Sequence, residues 1–413
     1  MHILVAPDKF KGSLSAAEVS RCLAAGVRAA GLRATELPLA DGGDGSVDAA
    51  LAAGFGSRPI TVAGATGLPT RGRIALRGDT ALIEVAGTCG LATLPCRRLA
   101  PLDSSSLGFG QALRQALRHR PRRIVLALGG SAGIDGGMGL LTALGVRWYD
   151  RAGHPLRPCG RTLGDIARAE VGGAVELGGV ELLAACDVTN PLTGPNGAAA
   201  VYGPQKGATA TEIGRLDAGL RNMVEALAAA SSPGPVRSAA VAPGAGSAGG
   251  IGFAAALLGA ELISGADFFL DLLGFDRRLP DSDLVITGEG SLDGQSAHGK
   301  LPTVIARRAR PIPVVAVAGR STLARTAWDA AGFAAVHTLA EHTTADTAAD
   351  PDLTATLLTD IGRRIAHALT EPLPAARDRP SGPETRRMSD SRAVDRERPT
   401  RHSGDHEVRP ADL

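Results

Sequence analysis

Lysine is nearly absent from this 413-residue chain. Only Lys9, Lys11, Lys206 and Lys300 are lysines, and the other 40 of its 44 basic residues are arginine. Cysteine is also sparse. Cys22, Cys89, Cys96, Cys159 and Cys186 are odd in number and scattered, with no CxxC spacing. That excludes a disulfide framework and a zinc ribbon and suits a reducing, cytoplasmic setting. No apolar run reaches the ~18 residues of a membrane span. A net charge of +2 gives no bulk attraction to nucleic acid or to an anionic membrane. The opening MHILVAPD reads directly as a strand, without the basic stretch of a signal peptide. The length allows two domains and a large core.

What lysine there is carries information. All four lysines lie in Gly-rich polar stretches, 7–15, 186–209 and 286–302, that contain no arginine. A compact ammonium on a flexible stem differs from a planar guanidinium, and phosphate cradles use it. The distribution points to phosphate chemistry.

The longest polar stretch is Cys186 to Thr209. An apolar run, Val180 to Ala185, enters it and reads as a buried strand ending at Asp187. A carboxylate at a strand's C-terminal end, followed by a Gly/Pro-rich loop bearing Asn190 and Lys206, is where an open α/β sheet binds its ligand. Elsewhere strands alternate with helices. His2 to Ala6 runs into a basic loop, and Ser15 with Glu18 forms a capping box for a helix over 16–30. Ala34 to Leu39 runs into Asp41-Gly42-Gly43-Asp44, whose carboxylates suit Mg²⁺ or hydroxyl binding as well as plain turn roles. Short strands are predicted at Ile60–Val62, Arg73–Leu76 and Ala81–Val85, and a buried one at Arg122–Leu128. Helices are predicted over 109–119, 138–144, 211–230 with Thr211 as cap, 253–259, 302–309, 324–331 and 352–369. A strand over 283–287 leads to Gly288 and a long polar loop. From about Pro372 onward, six prolines, nine arginines and eight acids with no aromatic residue predict a disordered tail.

Three short motifs invite other readings. Gly129-Gly130-Ser131-Ala132-Gly133 satisfies the G-x-S-x-G nucleophile elbow, with Asp187 and His298 available for a triad. The glycines after Ile134 are a poor start for the helix an elbow requires. Gly244 to Gly249 is a formal G-x-G-x-x-G, but Pro243 interrupts the strand before it. Gly294 to Lys300 matches part of a P-loop, yet Leu301 stands where Ser or Thr binds Mg²⁺, and the predicted strand ends seven residues before Gly294, leaving too long a loop. The rival classes are thus a serine hydrolase using Ser131 and a non-catalytic ligand-binding module.

Taken together and in order, the stretches APDKFKGSLSA (6–16), ADGGDG (40–45), GGSAGIDGG (129–137), 186–209, PGAGSAGGIG (243–252) and TGEGSLDGQSAHGK (287–300) resemble the bacterial glycerate kinase family that makes 2-phosphoglycerate. The matching stretches span nearly all of residues 1–370. Gly133, Ile134 and Ser291 depart from the family's usual residues, and a substrate hydrogen bond is expected to be missing if 133–134 touch substrate.

The resemblance implies two α/β domains with the active site in the cleft between them. A discontinuous flavodoxin-like domain with a parallel sheet comprises 1–58 and 280–371, and an inserted α/β domain comprises 59–279. It implies transfer from ATP to D-glycerate with Mg²⁺, the alternatives being another small hydroxy acid or phosphorylation at the 3-position. Lys11 and Lys206 are the expected phosphoryl-stabilising residues, and Asp187 the base or a Mg²⁺ ligand. Lys9, Ser13, Gly130, Ser131, Asp135, Asn190, Gly246, Glu289, His298 and Lys300 are expected to bind substrate or nucleotide. Asp41, Asp44 and Asp293 are the expected metal ligands. The expected assembly is a monomer or homodimer. Deleting residues 374–413 should leave turnover within about twofold of the full chain, checked by a steady-state assay of both forms.

Overall fold

A computed structural model describes residues 1–370 except 174, 176 and 294–299. The predicted tail and His298 lie outside the described residues. Among the described residues, five strands form an all-parallel sheet. These are β1 (His2–Val5), β2 (Arg33–Glu36), β11 (Leu284–Leu292), β12 (Val314–Ser321) and β13 (Ala335–Thr338), ordered β13-β12-β11-β1-β2. Between β2 and β11 the chain builds a second, mixed sheet. It contains β3 (Gly56–Ala63), β4 (Pro69–Arg77), β5 (Thr80–Glu84), β6 (Arg123–Ala127), β9 (Glu181–Ala185) and β10 (Glu261–Ile263), ordered β10-β9-β6-β5-β4-β3. β7 (Arg147–Tyr149) pairs with β8 (Arg168–Glu170) in a separate two-stranded ladder.

Period-two alternation sorts the strand residues into three layers of core. Ile3 and Val5 face helices Ala16–Ala29 and Pro351–Thr370. Leu4 and Ala6 face the opposite way, into a core that also holds Leu82, Val125 and Leu183 of the second sheet. Ile83, Ile124, Leu126 and Leu182 face a third core with Phe109 and Leu140. The middle layer is therefore shared, and it holds the two sheets' strand ends against one another.

Several predicted boundaries shift for local reasons. The helix expected over 211–230 starts one residue earlier, at Ala210, because Thr209 caps it and Glu212 closes the box; Thr211 lies inside. The helix expected over 253–259 spans Ser247–Leu257, with non-helical backbone at residues 248–250. β11 does not stop at 287. It continues to Leu292 because Ser291 and Leu292 still pair with Arg320 and Ser321 of β12, and the chain after β1 lies on its glycines, with Asp8 N–H donating to Gly288 O at 2.8 Å. The distance argument against a P-loop therefore lapses, while Leu301 still denies it the Mg²⁺-binding hydroxyl. Helices Pro233–Val241 and Gly265–Leu273 are additional. No described helix is long and apolar enough to cross a membrane.

Helices Ala16–Ala29 and Pro351–Thr370 cross at Gly26, where an added Cβ would lie 2.0 Å from Thr359 O. Alanine normally improves a helix by ~1 kcal/mol over glycine. Here the backbone contact reverses the sign, and Gly26→Ala is expected to lose roughly 2 kcal/mol or more in urea unfolding.

Candidate active site

The carboxyl ends of strands from both sheets meet at one place. The loop after β2 lies directly on the turn after β6: Gly129 N–H donates to Gly42 O at 3.0 Å, and a Cβ on Gly129 would stand 2.4 Å from Gly43 Cα. Side chains from six strand ends therefore share one edge. They include Asp8 and Lys9 after β1, Asp41 and Asp44 after β2, Glu84 ending β5, Ser131 after β6, Asp187 after β9 and Glu289 within β11.

Lys9 is the centre of this charge. Its ammonium lies 3.7 Å from Asp8. Burial disfavours its charge, but Asp8, Asp41, Asp44 and Glu84 together outweigh burial and hold its pKa above the usual lysine range. Lys9 is thus spoken for by carboxylates. Burial drives Asp8 upward, against the pull of Lys9 and with a push from Asp41 and Glu289. Glu84 accepts from Val47 N–H at 2.9 Å, in the first turn of helix Ser46–Ala52, and burial raises its pKa to about 7.

Among the described residues Asp187 has no such cation. It is held by the start of helix Gly265–Leu273, accepting from Ser264 Oγ at 3.1 Å and from Ala266 N–H at 3.1 Å. Burial and then the neighbouring Asp41 raise its pKa to about 7, against these hydrogen bonds. The result is a fixed carboxyl group that exchanges its proton near neutral pH.

Lys206 lies on the other side, buried, with Nζ donating to Ser131 Oγ at 2.7 Å and Gly133 O at 2.6 Å. Burial pushes its pKa down to about 7, against Asp135 and Cys89, and Lys11 adds to the downward push. Lys11 itself is exposed. Ser13 Oγ, on the same loop, is buried without a hydrogen-bond partner among the described residues.

Other expected site residues serve the scaffold. Asp135 accepts from Ser106 N–H and Oγ and from the N–H groups of Gly137 and Gly139, so its carboxylate orders the turn after β6. Asn190 bonds within its own loop, donating to Asn196 O and accepting from Tyr202 Oη. Gly246 N–H donates to Asn190 O at 2.9 Å, joining two of the polar loops. Gly130, at φ +80°, turns the chain beside Asp44. Lys300 lies 3.7 Å from Asp293.

The departures at 133–134 have a packing reason. Ile134 is fully buried in the third core. Gly133 sits where an added Cβ would be 2.8 Å from Ser104 Cβ, so backbone packing excludes a side chain there. The hydrolase triad is not assembled among the described residues. Ser131 is bonded to Lys206, Asp187 to the start of helix Gly265–Leu273, and Ala132–Gly137 is not helical. Nor do three or more His, Cys, Asp or Glu side chains gather as a closed metal cage among the described residues.

Two participants were passed over in the sequence, Asp8 and Glu84. Their signal was present: each is an acid at the C-terminal end of an apolar strand, in MHILVAPD and in ALIEV. Helix Gly265–Leu273 was signalled by Ser264 followed three residues later by Asp267.

Comparison with known proteins fits this arrangement. The model of the glycerate kinase family matches residues 3–370. The chain belongs to the glycerate kinase family. It is 40% identical over 329 residues to a glycerate kinase of Bacillus subtilis (strain 168), covering 77% of this chain and 85% of that one. It is 39% identical over 331 residues to the glycerate 2-kinase of Escherichia coli (strain K12), covering 78% and 86%. A crystal structure described as glycerate kinase 2 from Salmonella typhimurium LT2 superposes with a TM-score of 0.69 at 36% identity, over 90% of this chain and 98% of that one. Members of the glycerate kinase family are phosphotransferases with an alcohol acceptor, and this chain is accordingly an enzyme of that class.

Asp187 also sets a pH dependence of stability. A carboxyl group whose folded pKa is raised binds more protons folded than unfolded between about pH 4 and 7, so stability falls as pH rises through that window. Asp187→Asn removes the penalty. It should unfold roughly 2–4 kcal/mol later than wild type at pH 8, with the difference vanishing near pH 4, as read by denaturant titration at both pH values.

Proposed function

We propose that this enzyme transfers the γ-phosphoryl group of ATP to the 2-hydroxyl of D-glycerate, giving ADP and 2-phosphoglycerate. The observation that carries the reading is Asp187: a half-buried carboxyl group without a cation partner among the described residues, oriented by a helix start and poised near pH 7. As its hydroxyl oxygen attacks the γ-phosphorus, glycerate gives its proton to Asp187 and the bond to the ADP oxygen breaks. Lys11 is exposed on the loop after β1 and meets the phosphates directly. Lys206 holds the Ser131–Gly133 turn and takes up positive charge when phosphate enters.

Mg²⁺ is the expected cofactor, and the residues present fit it. Asp41 and Asp187 repel one another across the site, a strain that a divalent cation relieves. One or two carboxylates plus substrate phosphates suffice for Mg²⁺, so a closed protein cage is not required. When bound, the ion would neutralise phosphate charge. We assign it to Asp41 and Asp44, ahead of Asp293, which faces Lys300, and keep Asp187 as the base. The cleft is proposed to divide residues 1–58 and 280–371 from 59–279.

The test is turnover of ATP with Mg²⁺ and D-glycerate, with the product identified by phosphorus NMR. Wild type should yield the 2-phospho product. Asp187→Asn should lose about 10²–10⁴ in kcat while ATP affinity stays within a few-fold. A 3-phospho product, or no phosphorylation of glycerate by folded wild type, would refute the reading.

A further inference from the structure

Away from this edge, a cavity of about 350 Å³ opens beside the end of β2, lined by Arg77, Arg277 and Arg278 with Glu36, Ala53 and Leu273 among its walls. None of the active-site residues lines it. Three guanidiniums therefore face one carboxylate, and that carboxylate is already paired, Glu36 with Arg28 at 2.8 Å.

Two of the arginines have a structural task that leaves donors over. Arg77 stacks 4.4 Å from the Phe55 ring centroid and gives one N–H to Ala53 O at 2.7 Å. Arg278 uses Nη1 alone, donating to Leu273 O at 2.7 Å and Gly274 O at 3.1 Å. Those bonds cover the carbonyl ends of helices Ser46–Ala52 and Gly265–Leu273, so their negative dipole ends do not face the cavity bare. Arg277 packs on Gly274 and has no hydrogen-bond partner among the described residues. Elsewhere on the surface Arg123, Arg161, Arg237 and Arg308 pair with carboxylates. Among the described residues these three do not, though they converge on one concave site.

A guanidinium has five N–H donors in a planar fork, matched to phosphate and carboxylate oxygens. Three forks in a concavity concentrate positive potential and offer more donors than one carboxylate can accept. We propose that this cavity is a second anion site, which binds a small phosphate monoester at the far ends of the two helices that begin at the reaction edge. The site is independent of the phosphoryl transfer proposed above.

Isothermal titration of glycerol 1-phosphate into the full chain tests it, using wild type, Arg277→Gln, Arg278→Gln and Lys11→Ala. Arg277 is exposed, so its variant leaves the core untouched. Saturable binding is expected, weakened tenfold or more in Arg277→Gln and in Arg278→Gln and unchanged in Lys11→Ala. Equal affinity in wild type and Arg277→Gln, loss in Lys11→Ala alone, or no saturable binding would overturn the site. Tighter binding of malonate than of the phosphate ester would overturn the phosphate assignment.

Discussion

Everything at the reaction edge depends on burying carboxylates faster than cations are supplied to match them. Lys9 is enclosed by Asp8, Asp41, Asp44 and Glu84, and its charge offsets their mutual repulsion. Asp187 lies next to Asp41 but outside that compensation, held by a hydroxyl and a helix start. In water such a carboxyl group would titrate near 4. Removed from water and placed beside another acid, it holds a proton until about pH 7. The same displacement that lowers stability at neutral pH is what the proposed proton transfer would use.

The lysines illustrate the opposite solutions to one problem. Lys9 is half-buried and kept charged by neighbouring acids, while Lys206 is buried with backbone and hydroxyl acceptors and loses its preference for charge. Lys11 stays in solvent. A cation held by acids, a buried cation with neutral acceptors and an exposed cation therefore share one edge. The shared apolar layer keeps them there, because Leu4 and Ala6 of one sheet and Val125 and Leu183 of the other pack in the same core.

Local rules were readable wherever a short stretch of chain decides the outcome. Ser15 with Glu18 caps its helix as expected, and β1, β6 and β9 run where their apolar residues said they would. Local reading failed where a distant backbone intervenes. β11 continues past Gly288 because β12 and the chain after β1 lie alongside it. Ile134 sits within a polar motif, yet it packs in the core. Asp135 looked like a ligand, yet four donors of its own scaffold occupy it.

The sequence by itself determined the α/β class, the polar loops and their order, and the family, because periodicity and motif chemistry are properties of contiguous residues. It also set four lysines apart as a group. Tertiary structure decided what each of those groups does. Whether an acid pairs with Lys9, orders a turn or stands uncompensated depends on which strand ends meet. Electrostatic energy falls with distance and rises with burial, and neither quantity is fixed until both sheets have closed on their common core.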